Sequence, residues 1–76
     1  MLSSENALYE ALQKHLEAKI AGAKATMMIY FNRPVGIGGH ANHLDEMGTL
    51  LGTMAEASDQ LKALKKHFSD YKLESY

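Results

Sequence analysis

The residues of this chain best suited to chemistry are two histidines followed by two acids. His40 and His43 are three positions apart, and Asp45 and Glu46 follow them. Imidazole and carboxylate groups bind zinc, so His40 and His43 are weak candidates for metal ligands. The chain has no cysteine, and a structural zinc ion would need further ligands from a second subunit. The sequence favours the alternative, in which these side chains cap and solvate a helix start, and it predicts neither a metal nor a cofactor.

A glycine-rich segment lies directly before these histidines and contains Pro34, Gly36, Gly38 and Gly39. Glycines before a helix can bring free N–H groups close to a phosphate. A dinucleotide site, however, also requires a preceding strand within a βαβ unit, and the sequence offers neither. We therefore interpret the segment as a packed turn, in which the glycines supply backbone conformations with positive φ.

Catalysis is not supported by any spacing in the sequence. No nucleophile, base and orienting acid can be placed together, and the carboxylates are scattered along faces that a helix would expose to solvent. A pair of helices also encloses no cavity that would exclude water from a reaction. The sequence therefore predicts no catalytic residue, and a protein that is not an enzyme.

Composition excludes further classes of function. Eight Lys and Arg residues are balanced by nine Asp and Glu residues, so binding to nucleic acid is disfavoured. The longest apolar run, Met27 to Phe31, is far shorter than the roughly 20 residues of a membrane span. We expect a soluble, cytoplasmic protein without a membrane segment. A chain this short has marginal stability alone, and without disulfides self-association is a common remedy.

The first part of the chain predicts a helix over about residues 4–31, because apolar residues recur there three or four positions apart. They are Leu8, Leu12, Leu16, Ile20, Ala23, Met27 and Tyr30. Residues 25–31 are rich in β-branched and aromatic side chains, so a short strand is the alternative for them. A lone strand would have no partner, which favours the helix. Pro34 ends it, and a turn over about residues 32–41 follows.

The strongest pattern predicts a second helix over about residues 42–71, with Asn42 as its cap. Its apolar residues follow a seven-residue repeat, as in helices that pack along their length. These predicted core or interface residues are Met47, Leu50, Met54, Ala57, Leu61, Leu64, Phe68 and Tyr71. Leu44 and Leu51 widen the stripe on one side, as a helix with more than one neighbour requires, and Leu51 is a ninth predicted core or interface residue.

The two predicted helices have similar lengths, which favours an antiparallel hairpin. One partner helix covers only part of the widened stripe, so we expect an all-α hairpin that dimerises into a four-helix bundle or forms a higher homo-oligomer. Its predicted function is that of a structural or adaptor component. The alternative is a small regulator that binds and inhibits a host protein through a helix face.

Residues 27–68 carry a resemblance to a known group. An apolar helix end, the segment Asn-Arg-Pro-Val-Gly-Ile-Gly-Gly-His, an acidic helix start and the stretch Asp59–Leu64 resemble small uncharacterised proteins encoded by tailed bacteriophages. The Pro-Val-Gly-Ile-Gly turn is the most specific part, and Gly39 stands where an acidic residue is expected before the histidine. The resemblance implies a phage setting, in the host cytoplasm or the virion, and implies no activity.

Overall fold

A computed structural model describes residues 4–32 and 43–72, with side chains from Ala7 onward in the first range. Helix α1 spans Ser4–Asn32 and helix α2 spans His43–Phe68, and the two pack antiparallel as a hairpin. A short 3-10 helix, Ser69–Tyr71, follows α2. The prediction of an all-α hairpin is confirmed, and residues 25–31 belong to α1.

Residues 33–41 of the predicted turn lie outside the described residues, whereas Asn32 is the last residue of α1. The turn residues Pro34, Gly36, Gly38 and Gly39 therefore stay predictions, as does the cap at Asn42.

The second helix ends earlier than predicted. The α-helix stops at Phe68, whose φ of −129° leaves the helical region, and residues 69–71 form the tighter 3-10 helix. The Lys72 N–H donates to the Ser69 carbonyl over 3.1 Å, which closes this last turn. Ser69 and Asp70 have side chains that compete for backbone hydrogen bonds, so they propagate an α-helix poorly. The predicted α-helix was extended to Tyr71 from the spacing of apolar residues, and that spacing does not take the poor helix propensity of Ser69 and Asp70 into account.

The buried face of α1 differs from the predicted one in its first half. Leu8 and Leu12 are exposed, whereas Tyr9 is buried in their place. A step of four residues turns about 400°, so repeated steps of four drift around the helix. Alternating steps of four and three keep one line facing the partner helix instead. The resulting contact line is Tyr9, Gln13, Leu16, Ile20, Ala23, Met27 and Tyr30, all buried or half-buried.

The contact line of α2 follows the predicted stripe in its middle. Ala57 and Leu64 are buried, and they form a core cluster with Tyr9 and Leu16 of α1. Four stripe residues are half-buried: Met47, Leu50, Met54 and Leu61. The remaining three predicted core or interface residues are at least half exposed: Leu51, Phe68 and Tyr71.

The hairpin is elongated, with principal extents of 52 × 20 × 16 Å. Two helices shield each other on one side only, so the core is a single seam between them.

Candidate functional site

Exposed apolar side chains are the most prominent surface feature of the hairpin. Among the described residues, nine large apolar side chains are between 45% and 81% exposed. They are Leu8, Leu12, Met28, Ile29, Phe31, Leu44, Leu51, Phe68 and Tyr71. Single exposed apolar residues are ordinary, whereas clustered ones mark surfaces for interaction. The question is therefore which of these side chains share a face.

Helix geometry determines the face on which each side chain lies. One residue step turns about 100° in a right-handed sense along the chain. A contact residue points at the other helix, so the next residue along the chain points about 100° away from that direction. Because α1 and α2 run antiparallel, this next residue lies on the same side of the hairpin in both helices. The residue that precedes a contact residue lies on the opposite side. We call these sides the front face and the back face.

The front face carries four of the exposed apolar side chains. Met28, Phe31, Leu44 and Leu51 each come directly after a residue of the helix contact. All four lie in the half of the hairpin nearest the connection between the helices, and each is more than half exposed. We call these four residues the turn-end patch.

The back face carries a second cluster, at the end of the hairpin where the described chain begins and ends. Leu8 and Leu12 each come directly before a contact residue. Leu12 and Phe68 line both of two shallow apolar grooves, of about 380 and 270 Å³, and Tyr71 lines the smaller one. We call Leu8, Leu12, Phe68 and Tyr71 the chain-end patch. The ninth exposed apolar side chain, Ile29, precedes the contact residue Tyr30 and lies on the back face near the connection.

A polar cluster joins the two helices near their connection. The Tyr30 hydroxyl donates a hydrogen bond to the Glu46 carboxylate, and the Tyr30 ring meets the His43 ring edge-on with centroids 5.3 Å apart. Thr26 and Thr49 line the cleft beside Tyr30. Their hydroxyls donate to the carbonyls four residues earlier in their own helices, over 3.0 and 3.1 Å. The Tyr30–Glu46 hydrogen bond and the Tyr30–His43 ring contact join α1 to α2, and we call these two contacts the brace.

The brace makes the free energy of unfolding depend on pH in the alkaline range. The hydrogen bond to Glu46, then burial, then the negative charge of Glu46 raise the pKa of the Tyr30 hydroxyl. The unfolded chain loses that proton near pH 10, before the folded chain does. This contribution to stability is therefore complete below about pH 10 and is lost as pH rises through the folded pKa.

We expect the free energy of unfolding to fall more steeply above about pH 10 in the wild type than in Tyr30→Phe, which lacks the titrating group. Urea denaturation of both proteins from about pH 8 to 11 measures this difference, and the comparison cancels the titration of the other tyrosines. Parallel curves would show that Tyr30 makes no such contact.

The weak metal candidates do not form a site in the described part of the chain. His43 is half-buried, and its Nε2 is shielded without a hydrogen-bond partner there. His40 lies outside the described residues. Within residues 4–32 and 43–72, no three His, Cys, Asp or Glu side chains converge on a common point. The structure brings His43 together with Tyr30 instead.

Two polar residues lie in the helix contact that the apolar pattern did not predict. The Tyr9 hydroxyl and the Gln13 carbonyl oxygen are shielded and have no partner among the described residues. The Gln13 amide donates to Glu17 over 3.2 Å, which directs the side chain along its own helix. Counting back from Leu16 by three and then four would have found both positions, but their polar character hides them from a search for apolar residues.

We expect Tyr9→Phe to raise the free energy of unfolding by about 1 kcal/mol, because it removes a buried hydroxyl that has no hydrogen-bond partner among the described residues. Chemical denaturation measures the change, and the ring that fills the core is kept. A loss of more than about 1 kcal/mol would show that the hydroxyl is bonded in the native protein.

Comparison with known proteins gives no family assignment: no family model, no curated protein and no solved structure matches this chain. Neither described helix is long and apolar enough to cross a membrane. The fold and the surface geometry therefore define the class, a helical hairpin with an apolar cluster on each face.

Proposed function

We propose that this chain is a non-enzymatic helical hairpin that acts by associating with itself, as a structural or adaptor component. The observation that carries the proposal is the clustering of exposed apolar side chains into a turn-end patch and a chain-end patch. Exposed apolar clusters mark protein interaction sites in monomers, and each buried Å² contributes about 25 cal/mol.

The open sides of the hairpin support association of two copies. Two helices cover each other along one seam only, and four residues of the α2 contact line stay partly exposed: Met47, Leu50, Met54 and Leu61. A second hairpin packed on this pair would cover more of them, as in a four-helix bundle.

The test is the mass of the protein in solution. Light scattering on a sizing column, over loading concentrations from about 1 to 100 µM, should give at least twice the 8.4 kDa of the chain. A mass of one chain at the highest concentration would remove the proposal.

The sequence that connects the two helices resembles that of small phage proteins, and this resemblance supports a phage origin for the proposed component. We propose that the chain is made in an infected bacterium and enters the virion. Mass spectrometry of purified particles should then detect it. Its absence from particles, together with capture of one host protein by the purified chain, would favour the inhibitory regulator instead.

A further inference from the structure

Four of the five methionines of this chain lie between the connection of the helices and the middle of the hairpin. Met27 and Met28 are on α1, and Met47 and Met54 are on α2. The fifth, Met1, lies outside the described residues. The chain has no cysteine, so methionine thioethers are its only sulfur groups. All the oxidisable sulfur of the two described helices is therefore in one half of the hairpin.

Three of these methionines belong to the contact between the helices. Met27 is 9% exposed, and Met47 and Met54 are half-buried. The ring contact between Tyr30 and His43 fixes the relative height of the helices. About one turn further from the connection, Met27 of α1 is level with Met47 of α2, and Met54 lies about two turns beyond Met47 on the same line. Thioethers from both helices therefore fill this half of the contact.

The other half of the contact contains no methionine among the described residues. Its side chains are aliphatic apart from one tyrosine. The core cluster there and the two side chains packed against it are Tyr9, Leu16, Ala57, Leu64, Ile20 and Leu61. Peroxide converts a methionine thioether into a sulfoxide, whereas aliphatic side chains offer it no sulfur. An oxidant therefore acts on one half of the contact and leaves the other half unchanged.

The exposure of each methionine sets the order in which an oxidant reaches it, because oxidation follows accessibility. Met28 is 52% exposed on the front face, so its sulfoxide would stay in water. Met27 is buried and shielded from the oxidant. Met47 and Met54 are partly exposed and also lie in the contact. Only this pair combines access for the oxidant with a position between the helices.

Oxidation by hydrogen peroxide is a two-electron oxygen transfer. The sulfur lone pair attacks one peroxide oxygen, the O–O bond breaks, and an S–O bond forms, while the displaced hydroxide takes up the remaining proton as water. The sulfoxide is polar and loses its hydration when it is enclosed by apolar side chains, so it favours an open contact. A dithiol-dependent reductase reverses the step, releasing the oxygen as water and leaving a disulfide in the reductant.

We infer that Met47 and Met54 are reversible oxidation sites whose sulfoxides open the helix contact near the connection, while the core cluster at the other end stays closed. The observation behind this inference is the grouping of methionines from both helices in one half of the contact. The inference concerns the single hairpin and goes beyond the proposed self-association, so a monomeric wild type would remove the proposed function and leave this inference standing.

The sites are tested by treating the full chain with hydrogen peroxide and analysing its peptides by mass spectrometry. We expect Met28 to gain an oxygen atom first, Met47 and Met54 to follow, and Met27 to react last. Complete oxidation of Met28 with Met47 and Met54 unchanged would overturn the inference, because the oxidant would then not reach these two sulfur atoms in the folded chain.

The effect on the contact is tested with matched leucine variants. Leucine has nearly the volume of methionine and no sulfur, so Met47→Leu with Met54→Leu keeps the contact filled. Met28→Leu is the control at an exposed position. At one protein concentration, peroxide should lower the midpoint of thermal unfolding by roughly 10 °C in the wild type and in Met28→Leu. The double variant should change by less than about 2 °C. An equal loss in all three proteins, or in none, would overturn the inference.

Hydrogen exchange of the oxidised wild type shows where the hairpin opens. Protection of backbone amides should fall at residues 23–30 and 47–54 and persist at residues 12–16 and 61–64. Uniform loss of protection would overturn the local opening. Treatment with methionine sulfoxide reductases for both sulfoxide epimers should restore the midpoint of the untreated protein. A midpoint that stays low after the sulfoxides are reduced would show that the opening is not reversible, and would also overturn the inference.

Discussion

Leu16→Asp should abolish the helical fold. Leu16 is 3% exposed and belongs to the core cluster, and that cluster contains no cation to pair with a carboxylate. An unpaired charge buried in an apolar seam costs several kcal/mol, as much as the whole stability of a chain this small. Far-UV circular dichroism at about 20 °C should therefore show loss of most helical signal.

The matched control for Leu16→Asp is Leu8→Asp, which places the same group on the same helix at an exposed position. This variant should keep its helical signal and unfold within about 1 kcal/mol of the wild type. The pair also tests the register of α1. If Leu8→Asp unfolded the chain as well, the face predicted from steps of four residues would be the buried one.

Ala57→Leu should destabilise the hairpin by about 1–3 kcal/mol, because the helix seam has no room for a larger side chain at this point. Ala57 is 1% exposed, the most buried described residue. Three further carbon atoms there must push α1 away or force strained side-chain rotamers. Urea denaturation followed by circular dichroism measures the loss.

Ala55→Leu is the control for Ala57→Leu, since Ala55 is exposed on the same helix and leucine is nearly as good a helix former as alanine. Its free energy of unfolding should stay within about 0.5 kcal/mol of the wild type. Equal effects at both positions would show that the two helices do not approach closely at Ala57.

The middle of the second helix could be predicted well because its contact residues from Met47 to Leu64 are apolar at every step. Ala57 and Leu64 were placed in the stripe by spacing, and both are buried. In α1 the contact line includes Gln13, and this polar residue diverted the predicted face to Leu8 and Leu12. A search for periodic apolar residues finds only apolar side chains, whereas helix packing buries whichever residue lies on the contact line. The predicted and observed faces therefore differ where a polar side chain lies between the helices.

The candidate surfaces were predictable only in part. Leu44 and Leu51 were recognised from the sequence as a widening of the stripe, and both are exposed. The chain-end patch was missed because it joins residues nearly sixty positions apart, whose meeting depends on the hairpin register. The brace between Tyr30 and Glu46 was missed for the same reason, since no spacing within one helix relates them.

The proposed self-association would also explain how so small a core can be stable. A single seam between two helices leaves much of the α2 contact line partly exposed, as at Met47, Met54 and Leu61. A second hairpin packed against the pair would cover more of this row. Folding and association would then be one equilibrium, in which stability depends on protein concentration.

The most direct test of self-association is the dependence of the midpoint of thermal unfolding on concentration. Because a dimer that dissociates on unfolding is favoured by mass action, raising the concentration about 100-fold should raise the midpoint by roughly 5–10 °C. Circular dichroism in cells of different path length covers this range with one preparation. A midpoint that stays constant across the range would contradict the account, because it would show that the hairpin folds alone.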